Sequence, residues 1–167
     1  MPLQICRWAG NLLNSQSKIN WRANLWTYAP VFLWIGVIFF LSSNQGSMSQ
    51  TSLFIRPLLK FLFPTAPEET LQIYHGYIRK SAHFAEYALL AFFAVRAFAR
   101  SSLTNLRNLR YLLPIVLVAV IASIDEFNQG FEASRTGSFR DVLLDIAGGT
   151  AMVAILWLIK RPRPACR

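Results

Sequence analysis

The chain has little charge. Only 15% of its 167 residues are Asp, Glu, Lys or Arg, against about 25% in an ordinary soluble domain. Acids are the scarcer sign, with eight against 17 Lys and Arg, for a net charge of +9. Cysteine is nearly absent: Cys6 and Cys166 stand near opposite ends, neither has a partner at metal-ligand spacing, and both are expected to be reduced thiols without a structural role. The Lys and Ser/Thr of a phosphate loop are missing beside Gly148 and Gly149, and no H-E-x-x-H motif occurs. A cleavable leader is not indicated either. Residues 1–24 are mixed and weakly amphipathic, and no small-residue cleavage pattern follows the first apolar run, which should therefore stay as an anchor. Repeats and low-complexity segments are also lacking.

These absences sit beside a 54% share of hydrophobic residues and a positive mean hydropathy, which point to a membrane protein. The basic excess does not make a nucleic-acid binder. The Lys and Arg residues lie between apolar blocks and form no cationic face interleaved with exposed aromatics, so no nucleic-acid partner is expected.

Four segments are long enough to span: residues 25–43, 81–99, 111–131 and 141–160. A helix needs about 20 residues to cross the hydrocarbon core. A fifth apolar patch, residues 52–64, is too short and contains Pro57. Arg56 and Lys60, four apart, share one helix face there, which predicts an interfacial or re-entrant piece in the first outer loop. A loop packed over the bundle is the plainer alternative. Pro67, Glu68 and Glu69 should start a helix that runs into the second span. The expected fold is all-α: an integral membrane four-helix bundle over residues 25–160, with a segment 1–24 before it and a basic tail 161–167. Small residues Ala147, Gly148, Gly149 and Ala151 on the fourth span, and Ala119 and Ser123 on the third, are read as helix packing sites.

Eleven of the 17 basic residues fall in residues 1–24, at the end of the second span and the link after it, and in the tail. The other six are Arg56, Lys60, Arg79, Lys80, Arg135 and Arg140. The larger group should be cytoplasmic, which puts both termini inside a plasma membrane. All eight acids then fall in the outer loops or the outer halves of spans. Acids contribute little to orientation, so their gathering on one side needs another cause.

Helical rise supports one layer. Asp125 lies about 21 Å from the inner face of a core about 30 Å thick, Glu86 about 9 Å below the outer surface and Asp145 about 6 Å. Lys80, His83, Glu86 and Tyr87 form one stripe; Gln129 is within bridging distance of Asp125 or Glu126; Asp141 and Asp145 are four apart. Ionisable groups inside spans are costly, so they face the bundle interior or a wet cavity and mark a site. The plain structural alternative is pairing between spans, such as Lys80 with Asp145 or Arg140 with Asp125. Two adjacent carboxylates with a histidine and a tyrosine exceed what interhelical pairing needs, which favours function for the group.

Four blocks resemble the VanZ-like membrane family: "FLSSNQG", "KSAHFAEYALLA", "SIDEFNQGF" and "SRTGSFRDVLLDIAGG", in that order between residues 39 and 149. The resemblance implies a family pattern at Ser42, Ser43, Lys80, His83, Glu86, Tyr87, Asp125, Glu126, Gln129, Arg135, Asp141 and Gly148. Where the family often has Asn before the small pair, this chain has Asp145, an added carboxylate. The family takes its name from an accessory protein that raises resistance to the glycopeptide teicoplanin, which implies an envelope context and specifies no reaction.

The expected role is an enzyme or binder acting on an amphiphile at the outer leaflet: an envelope lipid, a cell-wall precursor or a glycopeptide-type molecule. His83 with Glu86, or Asp125 with Glu126, would move protons. Lys80, Arg135 and Arg140 would hold a phosphate or carboxylate, with Tyr87, Gln129, Asp141, Asp145, Ser42 and Ser43 completing the binding set. No cofactor is called for. A divalent ion such as Mg²⁺ or Mn²⁺ on His83, Glu86, Asp125, Glu126 and Asp145 is an alternative. A non-catalytic bundle that docks a protein partner in envelope biogenesis is another. A proton-coupled transporter is disfavoured, because the inner half has no acid to continue a relay.

Overall fold

The structure, a computed structural model, describes residues 21–43, 48–130 and 138–160. Among the described residues there are six helices: α1 Trp21–Ser42, α2 Met48–Leu62, α3 Glu68–Ala99, α4 Thr104–Asn108, α5 Leu112–Gln129 and α6 Phe139–Ile159. Four of them, α1, α3, α5 and α6, are long and apolar enough to cross a membrane. They form the expected all-α bundle.

Local chemistry explains where the helices begin. Pro67 precedes α3, and Glu68 and Glu69 occupy its first turn, where carboxylates complement the positive helix end. Ser138 caps α6 by accepting from the Arg140 amide at 3.3 Å, and Asp141 follows in the first turn. Pro30 lies inside α1 and Pro57 inside α2, each removing one backbone donor. The short helix α4 in the link between α3 and α5 has no counterpart in the sequence reading.

At 32 residues, α3 is the longest element. It rises about 48 Å, well beyond a core about 30 Å thick, so its first turns extend past the bundle. Helix α2 packs on α3, and Arg56 and Lys60 both reach the Glu68 carboxylate, the Lys60 nitrogen at 2.6 Å. The two basic residues do share a face, and that face is turned to α3. Leu58, Phe61 and Leu62 are exposed, as befits a helix lying against lipid.

Helix α3 is also the hub. It packs most extensively on α6, then on α1 and α5, while α1 touches α5 only lightly. In the chain's up-and-down order α3 and α6 run parallel. Their close approach rests on Gly148: a Cβ there would lie 2.3 Å from the Phe84 carbonyl oxygen, a backbone atom of α3. Gly149 instead faces α5, where a Cβ would lie 2.9 Å from the Val118 methyl carbons. The small pair thus serves two different neighbours. The apolar core, including Val31, Leu90, Ala91, Val95, Val118 and Val153, fills the bundle toward the C-terminal ends of α3 and α6.

Candidate functional site

The polar side chains converge at the opposite end, where α1 and α5 finish and α3 and α6 carry their early turns. Asp125 is 2% exposed. Its Oδ2 accepts from the Tyr87 hydroxyl of α3 at 3.3 Å and from Gln129 Nε2, one turn further along α5, at 3.0 Å. Gln129 also donates to Ser42 Oγ at the end of α1, and its Oε1 accepts from Arg79 at 3.5 Å. Gln129 therefore ties α1, α3 and α5 together. Its side chain bridges to Asp125, not Glu126.

Glu126, though adjacent, turns to another neighbour. Its Oε1 accepts from the Ser138 amide at the start of α6. A step of one residue rotates a helix by about 100°, so adjacent carboxylates address different helices. This is the physical answer to having two acids side by side: one is held by Tyr87 of α3 and by Gln129 of its own helix, the other by the start of α6.

Helices α3 and α6 meet through a ladder in matching order. Lys80 Nζ is 3.5 Å from Asp141 Oδ1, His83 Nδ1 is 3.9 Å from Asp145 Oδ1, and the Phe84 carbonyl faces Gly148. Lys80 pairs with Asp141 and not with Asp145, because its position on the ladder is one turn nearer the helix start. The alternative pairing of Arg140 with Asp125 does not form either. Arg140 is exposed in the first turn of α6, while Asp125 is taken up by Tyr87 and Gln129.

Asp145 is 1% exposed, and its Oδ1 is the one buried side-chain oxygen or nitrogen among the described residues without a hydrogen bond. The charges of Asp125, Glu126, Asp141 and Glu86 all act on it, so its immediate surroundings are electrostatically unfavourable apart from His83. Glu86 is half-buried near Asp125 and Arg79, and its backbone carbonyl accepts from Trp34 Nε1 at 2.9 Å, anchoring α1 to α3. Tyr87 and Asp145, expected to contact a ligand, have essentially no surface; Ser42 is 7% exposed, while Ser43, His83 and Asp141 are intermediate and Lys80 is exposed. Arg135 lies outside the described residues.

Arg79 is the residue that the sequence reading left out of the site. It meets Gln129, and its charge acts on both Glu86 and Glu126. A signal was available: Arg79, His83 and Glu86 are four and three apart, the same periodicity that singled out the Lys80 stripe. The divalent-ion alternative finds no geometry. Among the described residues no three His, Cys, Asp or Glu side chains converge to hold a metal.

Two clefts flank the acidic pair. One, of about 400 Å³, lies between the ends of α1 and α5 on the Asp125 side. The other, of about 460 Å³, lies between α5 and α6 on the Glu126 side and is lined mainly by Phe127, Phe139, Val142, Gly130 and Ser123.

Four apolar helices around a buried polar cluster at one end define a multi-pass membrane protein. Residues 27–160 match the VanZ/LLP1 family model, and the chain belongs to the VanZ-like family. No curated protein and no solved structure matches it.

Proposed function

We propose that the chain sits in the plasma membrane with both termini cytoplasmic, and that its polar cluster binds or acts on the headgroup of an amphiphile in the outer leaflet. The ligand class is an envelope lipid, a lipid-linked cell-wall precursor or a glycopeptide-type molecule. The observation that carries this reading is the gathering of Ser42, Asp125, Glu126, Gln129 and Asp145, all buried, at one end of the bundle. Buried polar groups at this density within spans are costly, and a site is the usual reason for them. The orientation is supported by the basic excess on the opposite side. Among the described residues, Lys80 reaches Asp141 and Arg79 reaches Gln129.

A second reading has its own support. Asp125, Gln129, Tyr87 and Ser42 satisfy one another, as interhelical contacts do in bundles that only dock a partner. The two are separated by a survival assay in a glycopeptide-sensitive host, with wild type and Glu126→Gln at equal membrane levels. Gln keeps an oxygen to accept from Ser138, so the fold is preserved while the charge is removed. Protection by wild type and its loss in Glu126→Gln is the expected result. Equal protection by both would sink the site reading and favour docking.

A further inference from the structure

The two clefts beside the acidic pair are lined by different side chains. The α1/α5 cleft is lined by Phe39, Ser42, Ser43, Asp125, Asn128 and Gln129. Five of these six are polar, and the only charge among them is negative. The nearby cations point elsewhere: Arg79 meets Gln129 from the α3 side and Lys80 is turned to Asp141. Among the described residues, no cation lines the cleft, so an anionic headgroup there would face Asp125. Asn128 is exposed and offers two amide donors and an acceptor, beside Ser42 Oγ, which accepts from Gln129, and Ser43 Oγ, which donates to the Phe40 carbonyl. Hydroxyl groups, each donor and acceptor at once, match such a lining, and the Phe39 ring supplies an apolar wall for the C–H face of a sugar. The volume suits a small ligand, whose sites span about 300–1,000 Å³. Because α1 rests chiefly on α3 and lightly on α5, the cleft opens sideways, beside Phe40 and Leu41 on the exposed face of α1. A ligand's apolar chain would lie along that face.

Resting on the reading of an amphiphile site above, we propose that the α1/α5 cleft is where the headgroup is read, and that it takes an uncharged, hydroxyl-rich headgroup of the carbohydrate class. The Glu126 cleft, whose carboxylate accepts from the Ser138 amide, shares no lining residue with that cleft.

The test is equilibrium binding to the full chain in phosphatidylcholine nanodiscs, using radiolabelled dodecyl maltoside, dodecyl phosphate and free maltose. Saturable binding of the maltoside, at least about tenfold tighter than the phosphate, is expected, since one or two extra hydrogen bonds are worth that factor. Asn128→Leu should weaken maltoside binding about fivefold for the loss of one such bond. Asn128→Lys, which adds a cation to the rim, should shift preference toward the phosphate. Asn128 is exposed, so neither variant threatens the fold, and matched thermal unfolding checks this. Equal or tighter binding of dodecyl phosphate to wild type would overturn the carbohydrate class while leaving the amphiphile reading intact. Equal binding of free maltose would overturn the amphiphile component. Absence of saturable binding by all three would overturn the cleft assignment, and the survival assay would then judge the broader function separately.

Discussion

The two ends of this bundle are built by the same four helices but are held together by different physics. At the apolar end, Leu90, Ala94, Val95, Ala97, Val118 and Val153 interlock with almost no polar atom between them, and the tilted rings of Tyr28 and Phe98 join α1 to α3. Such packing is fixed by volume and tolerates exchange among apolar residues of similar size. At the polar end each helix is tied to a particular partner: Tyr87 to Asp125, Gln129 to Ser42, Glu126 to Ser138, Lys80 to Asp141. In hydrocarbon, apolar side chains gain little by leaving lipid, so specific contacts have more influence on how helices are arranged. The polar end sets register and rotation, and the apolar end fills the space that results.

The largest test of that contrast is at the border between the ends. Gly148→Ala should cost about 3 kcal/mol, because its Cβ would strike α3 backbone that cannot swing aside. Thermal unfolding in nanodiscs would show this as a large fall in Tm. Gly149→Ala should cost only about 1 kcal/mol, since the Val118 methyls can yield, and adding Val118→Ala should recover most of it. Similar losses for both glycines would break the claim that α3 and α6 form the tighter pair.

Asp125→Ala should cost about 2 kcal/mol, because it leaves the Tyr87 hydroxyl and one Gln129 bond without an acceptor. A double-mutant cycle with Tyr87→Phe should then show coupling; additive effects would mean that the two side chains do not act together. Asp145→Asn is expected to go the other way. It replaces a buried carboxyl that has an unpartnered oxygen and lies among four other acids by an amide that cannot ionise, and should raise stability by about 1 kcal/mol. A fall in Tm would show instead that the His83 contact outweighs that repulsion. The smallest effect is at the edge. Glu68→Gln should leave global stability nearly unchanged, since its ion pairs are half-exposed and screened by water. It should nevertheless speed protease cleavage around α2, whose two cations would lose their shared charged partner.

Much of this arrangement was legible in the residues. Apolar run length placed three spans to within a few residues and the end of the second, whose helix starts at Glu68, well before residue 81, and the spacing of Arg56 and Lys60 foretold the amphipathic helix α2. The stripe along α3 and the pairs on α5 and α6 followed from a period of about 3.6 residues. What periodicity could not supply was the partner of each face. Lys80 meets Asp141 because α3 and α6 lie in one register, which Gly148 permits by its missing side chain. Arg79 joins the site through the rotation of α3 against α5, and the short helix α4 carries no strong apolar period of its own.

The sequence by itself determined which stretches span, which side carries the acids and which residues share a helix face, because these depend only on local hydrophobicity, charge and helical geometry. Tertiary structure alone decided that Asp125 and Asp145, alike in chemistry and burial, differ in circumstance. One accepts from both Tyr87 and Gln129 on its Oδ2, and the other keeps a buried oxygen without a hydrogen bond beside His83. The physical reason is that a hydrogen bond needs two groups within about 3 Å, and for residues far apart in the chain that distance is set by how helices pack.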